Sequence, residues 1–218
     1  MTSAKPSVSP IRWTYDQSDP ALMLWTASLQ RWPDLFVLPS AAQVVELGCA
    51  DTNFLERFSE QNPDATIRGV EWCDQYRDRT IIGDACDPDL FQPNSLDAVI
   101  MLGALEHFGL GYYGDPLHQD NGQDVGDMLA MQNVESWLKP GGWVYFDVPC
   151  QPVGGIRPNR HFRDFSPQDV TDRLIAPGLT EVCRGYSWPE PNAGTWCDEP
   201  TGPLTPYWFA VVVARKDA

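Results

Sequence analysis

An acid, a lone glycine and a second acid mark where this chain could do chemistry. The segment Val44-Val45-Glu46-Leu47-Gly48-Cys49-Ala50-Asp51-Thr52-Asn53-Phe54-Leu55 reads as a buried strand that ends in a tight turn and opens into a helix. Such a turn leaves backbone N–H groups free at a helix N-terminus, where they can hold a polar or anionic group. Glu71 closes the next apolar strand, Ile67-Arg68-Gly69-Val70-Glu71. A turn at one end and a carboxylate for ribose hydroxyls at the other is how a nucleoside cofactor is held.

A base is the other requirement. The chain has three histidines, His107, His118 and His161, and all lie in loops after the fourth and fifth expected strands. Histidine suits general-base work because its free pKa is about 6.5. His107 is the first choice, with Glu106 or Asp115 able to orient it, and His161 is the second. Asp115, His118, Asp120, Asp124 and Asp127 form an acidic, Gly-interrupted loop. Hard cations take oxygen ligands, but the spacing is not that of an EF-hand, and a solvated loop is the preferred reading. No metal ligand set is assigned.

The elements that must position these groups alternate. Apolar strand patterns appear at Gln43–Gly48, Thr66–Glu71, Thr80–Gly83, Leu96–Leu102 and Gly142–Val148. Helical patterns lie at Thr52–Glu60 and Asp127–Leu138, and Lys139-Pro140-Gly141-Gly142 stops the latter. This alternation predicts a doubly wound, Rossmann-like α/β fold: a mostly parallel sheet of about seven strands with helices on both faces. Ser166–Ile175 reads as a helix capped by Ser166 with Pro167 in its first turn. Leu179–Trp188 and Tyr207–Arg215 read as an antiparallel edge hairpin, with a Pro/Gly/Trp-rich loop between Pro189 and Pro206. Ala21–Trp32 reads as a helix, either packed on the core or forming a lid. The connection Trp72–Arg79 is too short for a full crossover helix. One domain, 1–218, is expected: an N-terminal segment 1–40, a cofactor-binding core 41–150, and acceptor-side loops and strands 151–218.

The turn also argues about the cofactor. A dinucleotide site wants G-x-G-x-x-G so that a pyrophosphate can approach. Here there is one glycine, and Asp51 would repel a pyrophosphate. S-adenosylmethionine carries no phosphate, and its ammonium could be held by Glu46 or Asp51.

On these residues the chain resembles the class I S-adenosylmethionine-dependent methyltransferases. Their E-x-G-x-G-x-G motif corresponds to Glu46–Thr52, with Ala50 and Thr52 replacing the second and third glycines. Glu71 matches their ribose-binding acid, and Gly83-Asp84-Ala85 their G-D-A motif, whose Asp accepts from the adenine amino group. Leu96–Leu102 fits their fourth strand, and Leu138–Gly142 their L-K-P-G-G turn. Leu105–Pro116 is similar to the L-E-H-x-G-L-G-R-Y-G-D-P signature of a little-characterised methyltransferase-like family, with Tyr112 in place of its Arg. The resemblance implies S-adenosylmethionine as cofactor. The expected binding set is Glu46, Gly48, Cys49, Ala50, Asp51, Glu71, Trp72, Asp84, Ala85, Leu102 and Gly103. The expected catalytic set is His107, His161 and Asp115. It implies methyl transfer to a small-molecule acceptor, with oxygen of a small polar compound such as a sugar preferred.

Whole-chain properties narrow the partners. The net charge of -15 over 218 residues disfavours DNA or RNA. A nucleic-acid methyltransferase is a weaker alternative, since Gly103-Ala104-Leu105-Glu106 stands where amino-directed DNA enzymes carry D/N-P-P-Y/F. A non-enzymatic binding module is another alternative, given the replaced glycines. Met1–Pro10 has no apolar signal core, and the longest apolar run, Phe209–Ala214, is too short to span a bilayer. A cytoplasmic protein with six reduced cysteines and no membrane partner is expected. No C-x-x-C pair supports a zinc ribbon.

Overall fold

The computed structural model describes residues 8–12, 22–49, 53–73, 80–187, 196–197 and 208–218. Seven strands form the main sheet: β1 (Gln43–Leu47), β2 (Thr66–Glu71), β3 (Thr80–Ile82), β4 (Leu96–Leu102), β5 (Leu138–Cys150), β6 (Leu179–Ser187) and β7 (Trp208–Lys216). An eighth, two-residue strand, Trp196–Cys197, pairs with the end of β6. The order across the sheet is Trp196–Cys197, β6, β7, β5, β4, β1, β2, β3. The pairs β1/β2, β2/β3, β1/β4 and β4/β5 are parallel; β5/β7 and β7/β6 are antiparallel. The expected Rossmann-like sheet with an antiparallel C-terminal hairpin is therefore present.

Central parallel strands are covered on both faces and read as continuous apolar runs. β4 fits this, with Leu96 through Met101 all buried. α1 (Met23–Arg31) and α2 (Phe54–Gln61) cover one face, while α3 (Gly126–Trp137) and α4 (Pro167–Leu174) cover the other. Trp25 of α1 is fully buried and meets Phe36, Phe54 and Tyr145 edge to face at 5.2, 5.5 and 4.9 Å. Such ring pairs add to area burial, and α1 is a core-packed helix rather than a lid. α4 starts as its sequence signals: Ser166 Oγ accepts from the Asp169 N–H, and the Asp169 carboxylate accepts from the Ser166 N–H.

One boundary differs from the sequence pattern. β5 begins at Leu138, not Gly142, because Leu138 pairs with Leu96 and the register then jumps to Trp143 opposite Ala98. The extra residues form a bulge around Gly141, whose φ is +78. The expected crossover Trp72–Arg79 and loop Pro189–Pro206 lie largely outside the described residues, as do Ala21, Thr52, Trp188 and Tyr207. Among the described residues no helix is long and apolar enough to cross a membrane. Among the described residues, Cys73, Cys86, Cys150 and Cys183 form no disulfide.

Candidate functional site

Open α/β sheets bind ligands beyond the carboxyl ends of their strands, where the order reverses. Here that place lies between β1 and β4, and a cavity of about 430 Å³ opens there. Its lining includes Gly48 after β1, Glu71 at the end of β2 and Trp72 after it, Asp84 and Ala85 after β3, and Leu102 at the end of β4 and Gly103 after it. These expected cofactor residues, distant in sequence, are brought together. Glu46 and Cys49 are buried and do not line it. Ala50 and Asp51 lie outside the described residues.

Gly48 shows why the first glycine of the turn is kept. Its φ is +73, and a Cβ there would sit 2.5 Å from the Cβ of Ala104. The turns after β1 and β4 therefore touch, and only glycine permits the approach. Beside it, Glu71 is partly exposed, and its Oε1 accepts from the Trp72 N–H at 2.8 Å.

Asp84 is more occupied than its motif suggests. Oδ1 accepts from the Cys86 N–H at 2.8 Å, and Oδ2 pairs with His118 Nε2 at 2.8 Å. A carboxylate has about four lone-pair sites, so capacity to accept remains. Asp84, Cys86 and His118 bring their polar atoms within 4.8 Å of one another. Burial pushes the Cys86 thiol up, and it donates to the Gly126 carbonyl at 3.3 Å.

Asp147, on β5, carries no expectation from the sequence. It is 4 % exposed, and its Oδ1 accepts from the Gly103 N–H at 2.9 Å. Burial raises its carboxyl to about 7, against the lowering effect of its hydrogen bonds to Gly103 and Tyr145. It fixes the backbone at the cavity floor. The signal was present as one acid inside the apolar run Trp143–Val148. Glu106, in the short 3-10 turn Leu105–His107, is also buried. Burial holds its carboxyl well above the usual range, and Oε2 has no hydrogen-bond partner among the described residues.

His107 lines the same cavity. Its Nδ1–H donates to the backbone oxygen of His161 at 2.6 Å. That carbonyl, not Glu106 or Asp115, orients the ring. Burial lowers the His107 pKa, so the imidazole is neutral near pH 7 with its lone pair on Nε2. The His161 ring stands one step away, its Nε2 3.2 Å from the Tyr113 hydroxyl. Asp115 also lines the cavity, and its carboxylate accepts from the Gly111 and Tyr113 N–H groups at 3.2 Å each, which shapes the loop.

The acidic loop is not uniformly solvated. Asp120 is exposed, but Asp124 and Asp127 are buried and held by arginines. Asp124 accepts from Arg160, and Asp127 takes a bidentate pair from Arg173 at 2.7 and 2.8 Å. Arg160 also donates to the Leu110 carbonyl at 3.0 Å, tying the loop after β4 to the segment that carries His161.

A family model described as a methyltransferase domain matches residues 23–186. No curated protein matches the chain. Among solved structures, the Burkholderia thailandensis 1,6-didemethyltoxoflavin-N1-methyltransferase, with 1,6-didemethyltoxoflavin and S-adenosylhomocysteine bound, is 16% identical over 100% of this chain and 98% of that one, with a TM-score of 0.60. The 4+2 cyclase SpnF is 14% identical over 98% and 88%, with a TM-score of 0.63. An S-adenosylmethionine-dependent methyltransferase from Archaeoglobus fulgidus is 14% identical over 91% and 95%, with a TM-score of 0.60. At these identities the likeness is one of fold.

Proposed function

This chain belongs to the methyltransferase-domain family, and on that premise we propose that it moves a methyl group from S-adenosylmethionine to an oxygen of a small polar acceptor such as a sugar. Gly48, Glu71, Asp84 and Gly103 are the residues that would hold the cofactor. Glycine at 48 leaves room beside the backbone, and Glu71 and Asp84 offer acceptors for hydroxyl and amino hydrogens. When bound, the cofactor supplies a methyl group activated by a sulfonium.

The observation that supports oxygen as the target is the His107–His161 hydrogen bond. It fixes the neutral tautomer with an unshared pair on Nε2. As the acceptor oxygen gains the methyl group, its proton passes to that nitrogen. Positioned general bases contribute about 10²–10⁴-fold. Tyr113, bonded to the His161 ring, and Arg160, bonded to Leu110, keep the two loops in register around this contact. The core packing of Phe108 and Leu105 behind the turn keeps His107 from swinging away.

Transfer of labelled methyl from S-adenosylmethionine across a panel of hydroxylated acceptors tests this reading. His107→Gln should then lower turnover about 10²–10⁴-fold, with cofactor affinity changed by no more than about twofold. Full turnover in that variant would remove His107 as base. Methylation confined to nitrogen would remove the oxygen assignment.

A further inference from the structure

Trp72 and Tyr113 line the cavity, and Tyr112 stands beside Tyr113. Trp72, Tyr112 and Tyr113 are 37%, 48% and 52% exposed. Tyr112 and Tyr113 meet edge to face at 5.0 Å, and Tyr112 lies over the His161 ring at 4.5 Å. Trp72 reaches the same loop: a Cβ on Gly114 would be 3.9 Å from its indole nitrogen. Exposed aromatic surface gathered in this way marks a binding surface.

The charge there is one-sided. Among the described residues, those lining the cavity include the acids Glu71, Asp84 and Asp115 and no lysine or arginine. The arginines of the bordering segment are committed elsewhere. Arg157 is held by Asp164, Arg160 by Asp124 and Arg173 by Asp127, and Arg163 stands 3.5 Å from Asp127. The whole chain carries -15. Among the described residues that line the cavity, a phosphate or carboxylate entering this mouth finds no guanidinium to offset its lost water. An organic cation meets the opposite situation, because ring faces attract it through their quadrupole and a carboxylate does so through its charge.

We propose that the acceptor carries a cationic nitrogen, an amino or quaternary ammonium group beside its hydroxyl, seated against Trp72 and Tyr113 and within reach of Asp115. This rests on the reading of the cavity as the methyl-transfer site, with the acceptor entering at the His107 end. It names the charge class that the site admits.

The test is calorimetric titration of the protein loaded with S-adenosylhomocysteine. The probes are choline, its uncharged isostere 3,3-dimethyl-1-butanol, and the anion glycolate. Choline should bind at least about tenfold tighter than the isostere, and glycolate should give no binding. Added salt should weaken choline alone, and Tyr113→Leu and Asp115→Asn should each remove most of its advantage. Equal binding of the matched pair, no binding of choline, or preference for glycolate would overturn the proposal. Failure to load S-adenosylhomocysteine would instead remove the reading on which it rests.

Discussion

His107 and His161 lie 54 residues apart in sequence, yet the ring N–H of the first donates to the backbone oxygen of the second at 2.6 Å. A carbonyl only accepts, so the neutral tautomer of His107 is settled by the backbone. Burial is the main cause that lowers its pKa, outweighing the raising effect of that hydrogen bond. In nitrogen-15 NMR titrations His107 should titrate below the ordinary 6.5, with the neutral ring protonated on Nδ1. Its unfolded form binds a proton first as pH falls, so this group makes the fold less stable below about pH 6.5. An ordinary or raised pKa, or a proton on Nε2 in the neutral ring, would contradict the assignment.

Asp147 gives a stability test with the opposite sign. Its folded carboxyl lies at about 7, whereas an unfolded aspartate titrates near about 3.9. Between those values the native state keeps a proton that the unfolded chain has lost. The contribution is fully present below about pH 4 and is lost as pH rises through about 7. Asp147→Asn does not titrate and can still accept from Gly103. Thermal melts should show the variant gaining on the parent protein from pH 5 to pH 8, by about 2–4 kcal/mol at the upper end. Glu106 is raised in the same direction, chiefly by burial and in part by the Asp147 charge, so removing that charge also eases Glu106 and adds to the gain in the same sense. A pH-independent difference would refute the argument.

Cysteine reactivity reports on the cavity without any acceptor. Burial pushes the thiols of Cys49 and Cys150 up to about 12 and Cys183 to about 11, and that of Cys86 higher still. Cys73 is half-buried, lines the cavity, and sits 4.0 Å from the Tyr113 carbonyl. Peptide mapping after iodoacetamide at pH 8 should find Cys73 modified at least about tenfold faster than those four. S-adenosylhomocysteine should protect it. Earlier labelling of any of the four, or no protection, would count against the cavity's assigned content.

How far the sequence carries is visible in particular residues. β1 and β4 were legible because a buried parallel strand is a continuous apolar run, and α4 because Ser166 and Pro167 are local start signals. The gathering of residues around the cavity was legible for a related reason. Gly48, Glu71, Asp84 and Gly103 each sit at or just beyond the end of a strand, and parallel pairing brings those ends together. What stayed hidden were contacts between distant segments. Examples are Asp147 on the Gly103 N–H, His118 on Asp84, the His161 carbonyl on His107, and the arginines that neutralise Asp124 and Asp127. Local periodicity says nothing about them, because they depend on which loops the fold stacks together.

The proposed binding of the cofactor at the Gly48–Glu71 end underlies every later step, and calorimetric titration with S-adenosylhomocysteine tests it most directly. The parent protein should bind one equivalent, and Glu71→Ala should bind at least about tenfold more weakly, the usual loss when a hydrogen bond to a charged group is removed. No binding by the parent protein, or undiminished affinity in Glu71→Ala, would contradict the site.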